Sequence, residues 1–346
     1  MIKARNRIAN MSGYTPGEQP KRGERVIKLN TNENPYPPSP RVLDVFRNLD
    51  ADDLLRYPDP VANAFRDAAA ALYGVAREQI IAGNGSDDIL NIVLRTYLNP
   101  GDVLAYPDPT YSLYPVLAGL QDAKVAPVAW ETGWTLPVEA LLASGARVIF
   151  VAHPNAPSGT PVALEALDVL ASRFDGLLLI DEAYAEFAEH NALPLLSTHN
   201  NVLISRTLSK SYSLAGLRFG YGIGHTSIID ELMKVKDSYN CDMPSIAAAT
   251  AALTDQTYAR TVWAQVRAER EQLIPALRGR GWDVIPSQAN FVFARPPTGD
   301  GAALYAKLKS KGVLVRFFNV PGLTDRIRIT VGTPEQMRAL LSAIDG

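Results

Sequence analysis

The chain has 346 residues, of which 47% are hydrophobic and 20% are charged, and its formal net charge is −2. This length predicts two domains, and the composition is that of an ordinary globular protein. The balanced charge excludes the strong basic field that proteins use to bind nucleic acid or an anionic membrane.

A single cysteine, Cys241, and four histidines limit the redox and metal chemistry of the chain. No disulfide can form within the chain, which predicts a reducing, cytoplasmic location. The histidines and the cysteine lack the spacing of metal ligands, so no metal is expected. The first residues contain no apolar segment of the secretory kind, and no apolar run approaches the roughly 18–20 residues that span a bilayer. We therefore expect no membrane segment.

The first hundred residues are predicted to be irregular and then helical. Residues 1–40 include "LNTNENPYPPSP", whose Asn and Pro content argues against a long regular element. A helix is predicted from Val61 to Gly74, where the glycine ends it. A second helix is predicted over "GSDDILNIVLRTYLNPG", with Ser86 as its N-cap.

Short apolar segments then alternate with helical patterns. The predicted helices are "VEALLASG" and "LEALDVLASRF", and the predicted strands are "DVLAY", "KVAPVAW", "RVIFVAH", "GLLLID", "NVLIS" and "RFGYGIG". Several of these strands are apolar throughout, which is typical of strands covered on both faces. The pattern predicts an α/β fold with a mostly parallel central sheet covered by helices.

The pattern changes after about residue 255. One long amphipathic helix is followed by short strand and helix candidates, among them "NFVFAR", "VLVRFF", "DRIRITVG" and a last helix from Pro334. This spacing predicts a small α+β domain. We predict a large domain over residues 35–255, and a small domain that combines residues 256–346 with residues 1–34, which include an N-terminal arm.

Polar residues follow the apolar strands, in "PDPTYSLY", "PNAPSGT", "DEAYAEF" and "RTLSKSYS". Ligands of parallel sheets bind beyond the carboxyl ends of the strands, so these segments are expected to converge. A nucleotide hydrolase would also need a G-x-x-x-x-G-K-[ST] loop, which the chain lacks. A dinucleotide loop at "GNGSDD" is disfavoured because Asp88 stands where the third glycine belongs.

One cofactor, pyridoxal phosphate, would use all of these groups. It needs a lysine for its aldehyde, an acid against its pyridine nitrogen, donors for its phenolic oxygen and an aromatic plane. Lys210, Asp181, Tyr184 with an asparagine, and Tyr111 supply these groups. The phosphate would be held by a helix N-terminus and the polar residues near it, which are Gly85, Ser86, Asp87, Thr207, Ser209 and Arg218.

The same motifs carry a family resemblance. "RTLSKSYSLAGLRFGYG", "IDEAYAEF", "PDPTYSLY" and "PNAPSG" resemble segments of the class I/II aminotransferases of PLP fold type I. "LNTNENPYPPSP", "LRYPDP", "GNGSDDIL", "MKVKDSYN" and "RIRITVGT" are similar to segments of the histidinol-phosphate aminotransferase family. The resemblance implies a cytoplasmic homodimer with shared active sites. It also implies transfer of an amino group between histidinol phosphate and 2-oxoglutarate in histidine biosynthesis.

The resemblance also implies roles for individual residues. Lys210 would form the Schiff base and carry the proton, while Asp181 and Tyr184 would contact the pyridine nitrogen and the phenolic oxygen. Tyr111 would stack on the ring, and Tyr57 would reach the phosphate from the other subunit. The anionic part of the substrate would be bound by residues near both termini, namely Arg328, with Arg316 and Tyr14 assisting, and Asn32 in a covering arm.

One motif departs from the family pattern. The family commonly has "PNNPTG", whose second asparagine holds the phenolic oxygen, whereas this chain has "PNAPSG" with Ala156 at that place. Either Asn155 serves instead, which we favour, or Tyr184 acts without an amide. The alternatives for the function are an aromatic amino-acid aminotransferase, an enzyme similar to threonine-phosphate decarboxylase, and a binding protein that has lost catalysis.

Overall fold

The computed structural model describes residues 2–21 and 23–346. The strands in this part of the chain are β1 (Ile27–Lys28), β2 (Ile80–Gly83), β3 (Val103–Asp108), β4 (Lys124–Ala129), β5 (Val148–Ala152), β6 (Leu177–Asp181), β7 (Val202–Thr207), β8 (Gly220–Gly224), β9 (Asp283–Val284), β10 (Phe291–Arg295), β11 (Val313–Leu314), β12 (Arg316–Phe317) and β13 (Ile327–Thr330). The α-helices are α1 (Asn6–Asn10), α2 (Pro40–Arg47), α3 (Ala51–Leu55), α4 (Asn63–Tyr73), α5 (Ser86–Tyr97), α6 (Leu113–Leu120), α7 (Val138–Leu142), α8 (Leu164–Arg173), α9 (Leu208–Ser211), α10 (Thr226–Val235), α11 (Met243–Thr254), α12 (Gln256–Arg278), α13 (Gly301–Ser310) and α14 (Pro334–Asp345).

The large sheet has the strand order β2-β8-β7-β6-β5-β3-β4. Strands β3 to β7 are parallel to one another, β8 is antiparallel to β7, and β2 is antiparallel to β8. Because two reversals cancel, β2 runs in the same direction as β3 to β7. Strands β5, β6 and β7 are buried along their whole length, as strands covered on both faces must be. The prediction of a mostly parallel sheet covered by helices is confirmed.

Most elements predicted in this region are present, with two corrections. Strand β2 was not predicted, because four residues, "IIAG", are too few to separate a strand from a short loop. Ser86 is the first residue of α5 and Gly85 occupies the N-cap position, so the prediction that Ser86 caps this helix is wrong. The helix α4 ends at Gly74, as predicted. Gly74 has φ +67°, in the left-handed region where glycine is favoured at helix ends.

A second sheet lies in the C-terminal part of the chain. It is antiparallel, with the order β12-β13-β10-β9, and β1 pairs with β11 in a separate two-stranded sheet. Leu29, which follows β1, packs in one apolar cluster with Leu273 of α12 and with Val313. The N-terminal segment therefore packs against the C-terminal elements. Residues 1–40 were expected to be irregular, which is wrong for α1 and β1.

Cys241 is buried, and burial raises the pKa of its thiol to about 12. Among residues 2–21 and 23–346, no three His, Cys, Asp or Glu side chains are grouped as metal ligands. Over the same residues, each helix is too short or too polar to cross a lipid bilayer.

Candidate active site

A cavity of about 450 Å³ lies at the carboxyl edge of the large sheet. The residues around it come from the ends of β3, β5, β6 and β7, from the N-terminus of α5, from α9 and from Arg218, which precedes β8. Its opposite wall comes from the N-terminal segment near residues 14–19 and 30–32 and from residues 316–328. The polar segments that follow the strands converge as the parallel order requires.

Lys210 extends into this cavity from α9, directly after β7. Its Nζ donates a hydrogen bond to the carbonyl oxygen of Thr31 at 2.9 Å. Burial, together with the nearby Arg328, lowers the pKa of the Lys210 amine to about 8. A larger share of this amine is therefore neutral near physiological pH, as a nucleophile or a proton acceptor must be.

Asp181 ends β6 and is 5% exposed. Its Oδ2 accepts a hydrogen bond from the Tyr114 hydroxyl at 2.8 Å, and its Oδ1 accepts one from the backbone N–H of Ala183 at 3.3 Å. Burial raises the pKa of this carboxyl to about 6. No basic side chain in residues 2–21 and 23–346 forms an ion pair with it. The site can therefore accept a cationic or N–H-bearing ligand atom.

Tyr114 is a site residue that the sequence reasoning missed. Its side chain is fully buried in α6, and its ring lies edge-on to the Tyr111 ring, with centroids 5.6 Å apart. The hydrogen bond to Asp181 orients that carboxylate. The available signal was its place in "PDPTYSLY", the polar segment that begins at the end of β3, three residues after Tyr111.

An anion cradle lies where α5 begins. Gly85 has φ +88°, and a Cβ at this position would lie 2.7 Å from Nη2 of Arg218. Gly220 packs closely against the start of α5, since a Cβ added at Gly220 would lie 2.3 Å from the backbone nitrogen of Ser86. These two glycines allow the guanidinium and the N–H groups of a twelve-residue helix to face the same place.

The remaining cradle residues are close by. Arg218 donates to Ser209 Oγ at 3.2 Å and pairs with Asp87 at 3.5 Å. The Thr207 hydroxyl caps α9 by accepting the N–H of Ser209. Ser86 lines the cavity together with these four residues, whereas Gly85 lies behind Arg218. A phosphate dianion would fit this combination of N–H groups, hydroxyls and guanidinium.

Tyr111 and Tyr184 also line the cavity. The Tyr111 hydroxyl donates to Asp87 at 3.3 Å, and its ring contacts that of Tyr14 edge-on at 5.9 Å. The Tyr184 ring lies edge-on to Phe291 at 5.1 Å. Burial raises the pKa of both phenols, so they are hydrogen-bond donors and not phenolates.

Asn155 does not reach the cavity, which corrects the expectation that its amide serves the cofactor's phenolic oxygen. Its side chain is fully buried, and its Oδ1 accepts the Thr110 hydroxyl at 2.7 Å. Its Nδ2 donates to the Pro109 carbonyl at 3.1 Å and to Ser158 Oγ at 3.0 Å. Both amide hydrogens are therefore used inside the protein, and Ala156 lines the cavity instead.

Two arginines face the cavity from the second sheet. The Arg328 guanidinium lies between the Phe291 and Phe318 rings, 5.1 and 5.5 Å from their centroids, and donates to the Asn30 carbonyl at 3.1 Å. Its Nε is buried and has no hydrogen-bond partner within residues 2–21 and 23–346. A buried donor of this kind is available to an anionic ligand in the cavity.

The second guanidinium, that of Arg316, holds the N-terminal arm. It donates to the carbonyl oxygens of Thr15 at 3.1 Å and of Pro16 at 3.3 Å, next to Tyr14. Tyr14 is 40% exposed and covers the Tyr111 ring. The arm thus closes one side of the cavity.

Tyr57 is not brought to the cavity of its own chain. It is 79% exposed and stacks on Tyr239 with ring centroids 4.4 Å apart. Leu54 and Leu55 in the adjacent α3 are 67% and 78% exposed. Exposed apolar side chains grouped in this way are typical of an interface with another subunit.

The comparisons with known proteins agree with one another. The sequence profile of the family described as aminotransferase class I and II matches residues 24–344. Histidinol-phosphate aminotransferase 1 of Trichormus variabilis is 47% identical over 340 residues, which cover 98% of this chain and 97% of that protein. The protein of the same name from a Nostoc species is 48% identical over 340 residues, covering 98% and 96%.

A solved structure extends these comparisons. The crystal structure of histidinol-phosphate aminotransferase from Sinorhizobium meliloti, in complex with pyridoxal 5'-phosphate, has a TM-score of 0.85 to this chain at 27% identity. The match covers 92% of this chain and 89% of that one.

Proposed function

Because the chain belongs to the class I and II aminotransferases, we propose that it transfers the amino group between histidinol phosphate and 2-oxoglutarate, with pyridoxal phosphate as cofactor. The chain is a transaminase with PLP fold type I. One observation carries the proposal beyond the family: the same cavity is lined by a lysine of lowered pKa and by a buried acid that has no cationic partner among the described residues. The names of relatives at 47% and 48% identity support the choice of substrate.

The residues of the cavity fit pyridoxal phosphate. When bound, this cofactor supplies an aldehyde for an amine and a ring that accepts electrons. Lys210 would hold the aldehyde carbon and then move the proton as general base and acid. Asp181 would hold the proton on the ring nitrogen, and its burial strengthens that contact because the local dielectric is low. Tyr184 would donate to the phenolic oxygen, Tyr111 would stack on the ring, and the anion cradle would hold the phosphate.

The substrate anion would meet the two arginines. Glutamate and 2-oxoglutarate carry carboxylates and histidinol phosphate carries a phosphate, so one pocket must accept both. The Arg328 guanidinium suits either group because its planar fork pairs with carboxylate and phosphate in two-pronged fashion. Arg316 would add charge for the dianion, and Tyr14 and Asn32 would close the N-terminal side.

Arg328→Ala is expected to raise KM for histidinol phosphate and for glutamate together, each by roughly 10- to 150-fold, the worth of a charge-assisted hydrogen bond. Steady-state kinetics with each donor measures this change. Arg326→Ala is the matched control, since Arg326 pairs with Asp283 outside the cavity. A rise for only one donor would mean that separate groups hold the two anions.

The proposal includes a homodimer with shared active sites, in which Tyr57 of each subunit would contact the cofactor phosphate of the other. The exposed group of Leu54, Leu55 and Tyr57 supports it. We further propose a cytoplasmic enzyme whose large domain (35–255) and small domain (1–34 with 256–346) meet at the cavity.

Leu54→Asp combined with Leu55→Asp is expected to dissociate the dimer, because two carboxylates would have to be buried at the interface. Sedimentation velocity measures the mass. Cofactor affinity should fall by roughly 10- to 150-fold with the loss of a contact to a charged group. The control for the added charge is Val169→Asp, which places an aspartate at an exposed apolar position on α8, away from the proposed interface. Double-variant protein that stays dimeric with full affinity would contradict the proposed interface.

Substrate choice is tested by steady-state transamination with histidinol phosphate against phenylalanine, with 2-oxoglutarate as acceptor. We expect a much higher kcat/KM for histidinol phosphate. Strong turnover of phenylalanine with none of histidinol phosphate would indicate an aromatic amino-acid aminotransferase. Purified protein that takes up no pyridoxal phosphate, and so has no near-visible absorbance, would reject the catalytic proposal as a whole.

A further inference from the structure

The hydroxyl of Tyr184 is held by an amide from the N-terminal segment. Asn32 Nδ2 donates a hydrogen bond to the Tyr184 oxygen at 2.9 Å, across 152 positions of sequence. Asn32 is 1% exposed, and both residues line the cavity. From the sequence, Asn32 was expected only in an arm that covers the substrate, and a contact with Tyr184 was not predicted.

The orientation of the Asn32 amide is determined by its other partners. Thr330 Oγ1 accepts the backbone N–H of Asn32 at 3.0 Å and donates its own hydrogen to Asn32 Oδ1 at 3.1 Å. Asn290 Nδ2 donates to the Asn32 carbonyl at 2.9 Å. In this orientation Oδ1 accepts the threonine hydrogen, and the NH₂ end of the amide faces Tyr184.

The backbone of Asn32 contributes to the same arrangement. Its φ is +57°, in the left-handed region, which asparagine and aspartate adopt more readily than other residues with a side chain. This conformation lets both its N–H and its Oδ1 meet one threonine hydroxyl on β13. The N-terminal segment is thus attached to the second sheet at the point where it contacts Tyr184.

The direction of this hydrogen bond decides what Tyr184 can do. A phenol has one hydrogen to donate, and its oxygen can accept at the same time. Since the Tyr184 oxygen accepts from Asn32, its own hydrogen remains free for a ligand in the cavity. Asn155 cannot provide this contact, because both of its amide hydrogens are used elsewhere.

We propose that Asn32 is a positioning residue that keeps the Tyr184 hydroxyl donating toward an anionic oxygen of the ligand. This inference rests on the proposed function, in which that atom is the phenolic oxygen of pyridoxal phosphate. A donated hydrogen bond stabilises the negative charge on this oxygen. It therefore lowers the pH at which the bound cofactor takes up a proton next to Lys210 Nζ.

The test is an absorbance titration of the holoenzyme without substrate, which reports that pH from the near-visible band. Asn32→Gly removes the amide and still accommodates the positive φ. It is expected to raise the transition by roughly 0.5–1 pH unit, the size of one hydrogen bond. Asn32→Asp should raise it further, because a carboxylate would take the Tyr184 hydrogen. Asn30→Ala is the matched control, since the Asn30 amide donates to the Glu18 carbonyl and not to Tyr184.

A double-mutant cycle separates positioning from a general structural effect. In the Tyr184→Phe background, Asn32→Gly is expected to cause no further shift, because the hydroxyl through which Asn32 acts is gone. Equal shifts in both backgrounds, or unchanged transitions in Asn32→Gly and Asn32→Asp, would overturn the inference. These outcomes can be observed only if the wild-type holoenzyme has the near-visible absorbance band. If the proposed function itself were wrong, the wild-type protein would lack that band, so the two failures can be told apart.

Discussion

Lys210→Ala is expected to lower kcat by at least about 10³-fold, because one side chain would lose two tasks, capturing the cofactor and moving the proton. The pKa of the Lys210 amine is about 8, against an ordinary value of 10.5. At pH 7.5 about a quarter of such amines are neutral, compared with about one in a thousand ordinary lysines. The cavity therefore keeps a substantial fraction of the Lys210 amine neutral, and so nucleophilic, before a substrate binds.

Single-turnover and steady-state assays with histidinol phosphate measure the loss. Lys236→Ala is the matched control, because burial also lowers the pKa of Lys236, which donates to backbone carbonyls away from the cavity. Its turnover should stay close to that of the wild type. If the Lys210→Ala protein retained turnover within tenfold of the wild type, Lys210 could not be the reacting amine.

Asp181→Asn is expected to lower kcat by at least about 10²-fold and at the same time to stabilise the cofactor-free protein. The amide cannot hold the proton on a ring nitrogen as a carboxylate does, which removes a buried charge-assisted hydrogen bond. Stability changes in the opposite sense because the Asp181 carboxylate is buried and, within the described part of the chain, accepts hydrogen bonds only from the Tyr114 hydroxyl and one backbone N–H.

The direction of this stability change follows from the pKa of the Asp181 carboxyl, which is raised from 3.8 to about 6 on folding. Between these values the folded state binds more protons than the unfolded state, so its stability falls as pH rises through this window. Above pH 6 the charged group costs up to about 3 kcal/mol, which the neutral amide avoids. Thermal unfolding of cofactor-free protein at pH 7.5 should therefore shift upward by a few degrees in Asp181→Asn. This gain should fade as pH falls from 6 toward 3.8.

The neighbouring acid provides the control. Glu182 is also fully buried, but its Oε2 accepts from Nε of Arg206 at 2.9 Å and from Nη2 at 2.6 Å. Glu182→Gln should destabilise the protein by about 3–5 kcal/mol, since it removes the closer counter-charge of a buried guanidinium and leaves only the longer pair with Glu186 at 3.6 Å. Two adjacent carboxylates thus have opposite expected effects on stability. If Asp181→Asn destabilised the cofactor-free protein as Glu182→Gln does, Asp181 would be a structural charge instead of one reserved for a ligand.

Several site residues were predictable from sequence because of strand direction. Lys210 and Tyr111 follow apolar strands and Asp181 ends one, and the carboxyl ends of parallel strands meet at one edge. Residue type and position after a strand were therefore enough to place them in one cavity.

Other features depend on which way a side chain points within a loop. Asn155 was expected in the cavity, yet its amide is used by Pro109 and Ser158, and neither contact has a local sequence signal. Tyr114 was overlooked because a tyrosine in an apolar helix is usually part of the core. The contact between Asn32 and Tyr184 joins positions 152 apart, so no local pattern could indicate it.

The sequence by itself determined the α/β fold, the order of most strands and helices, and the chemical groups available to the site. These features follow from hydrophobic periodicity and from residues that come directly after buried strands, both of which are local properties. Only the tertiary structure decided which amide meets Tyr184, which hydroxyl orients Asp181, and that Nε of Arg328 has no hydrogen-bond partner among residues 2–21 and 23–346. Those contacts join residues that are far apart in sequence, so they depend on how distant segments pack together and not on any local pattern.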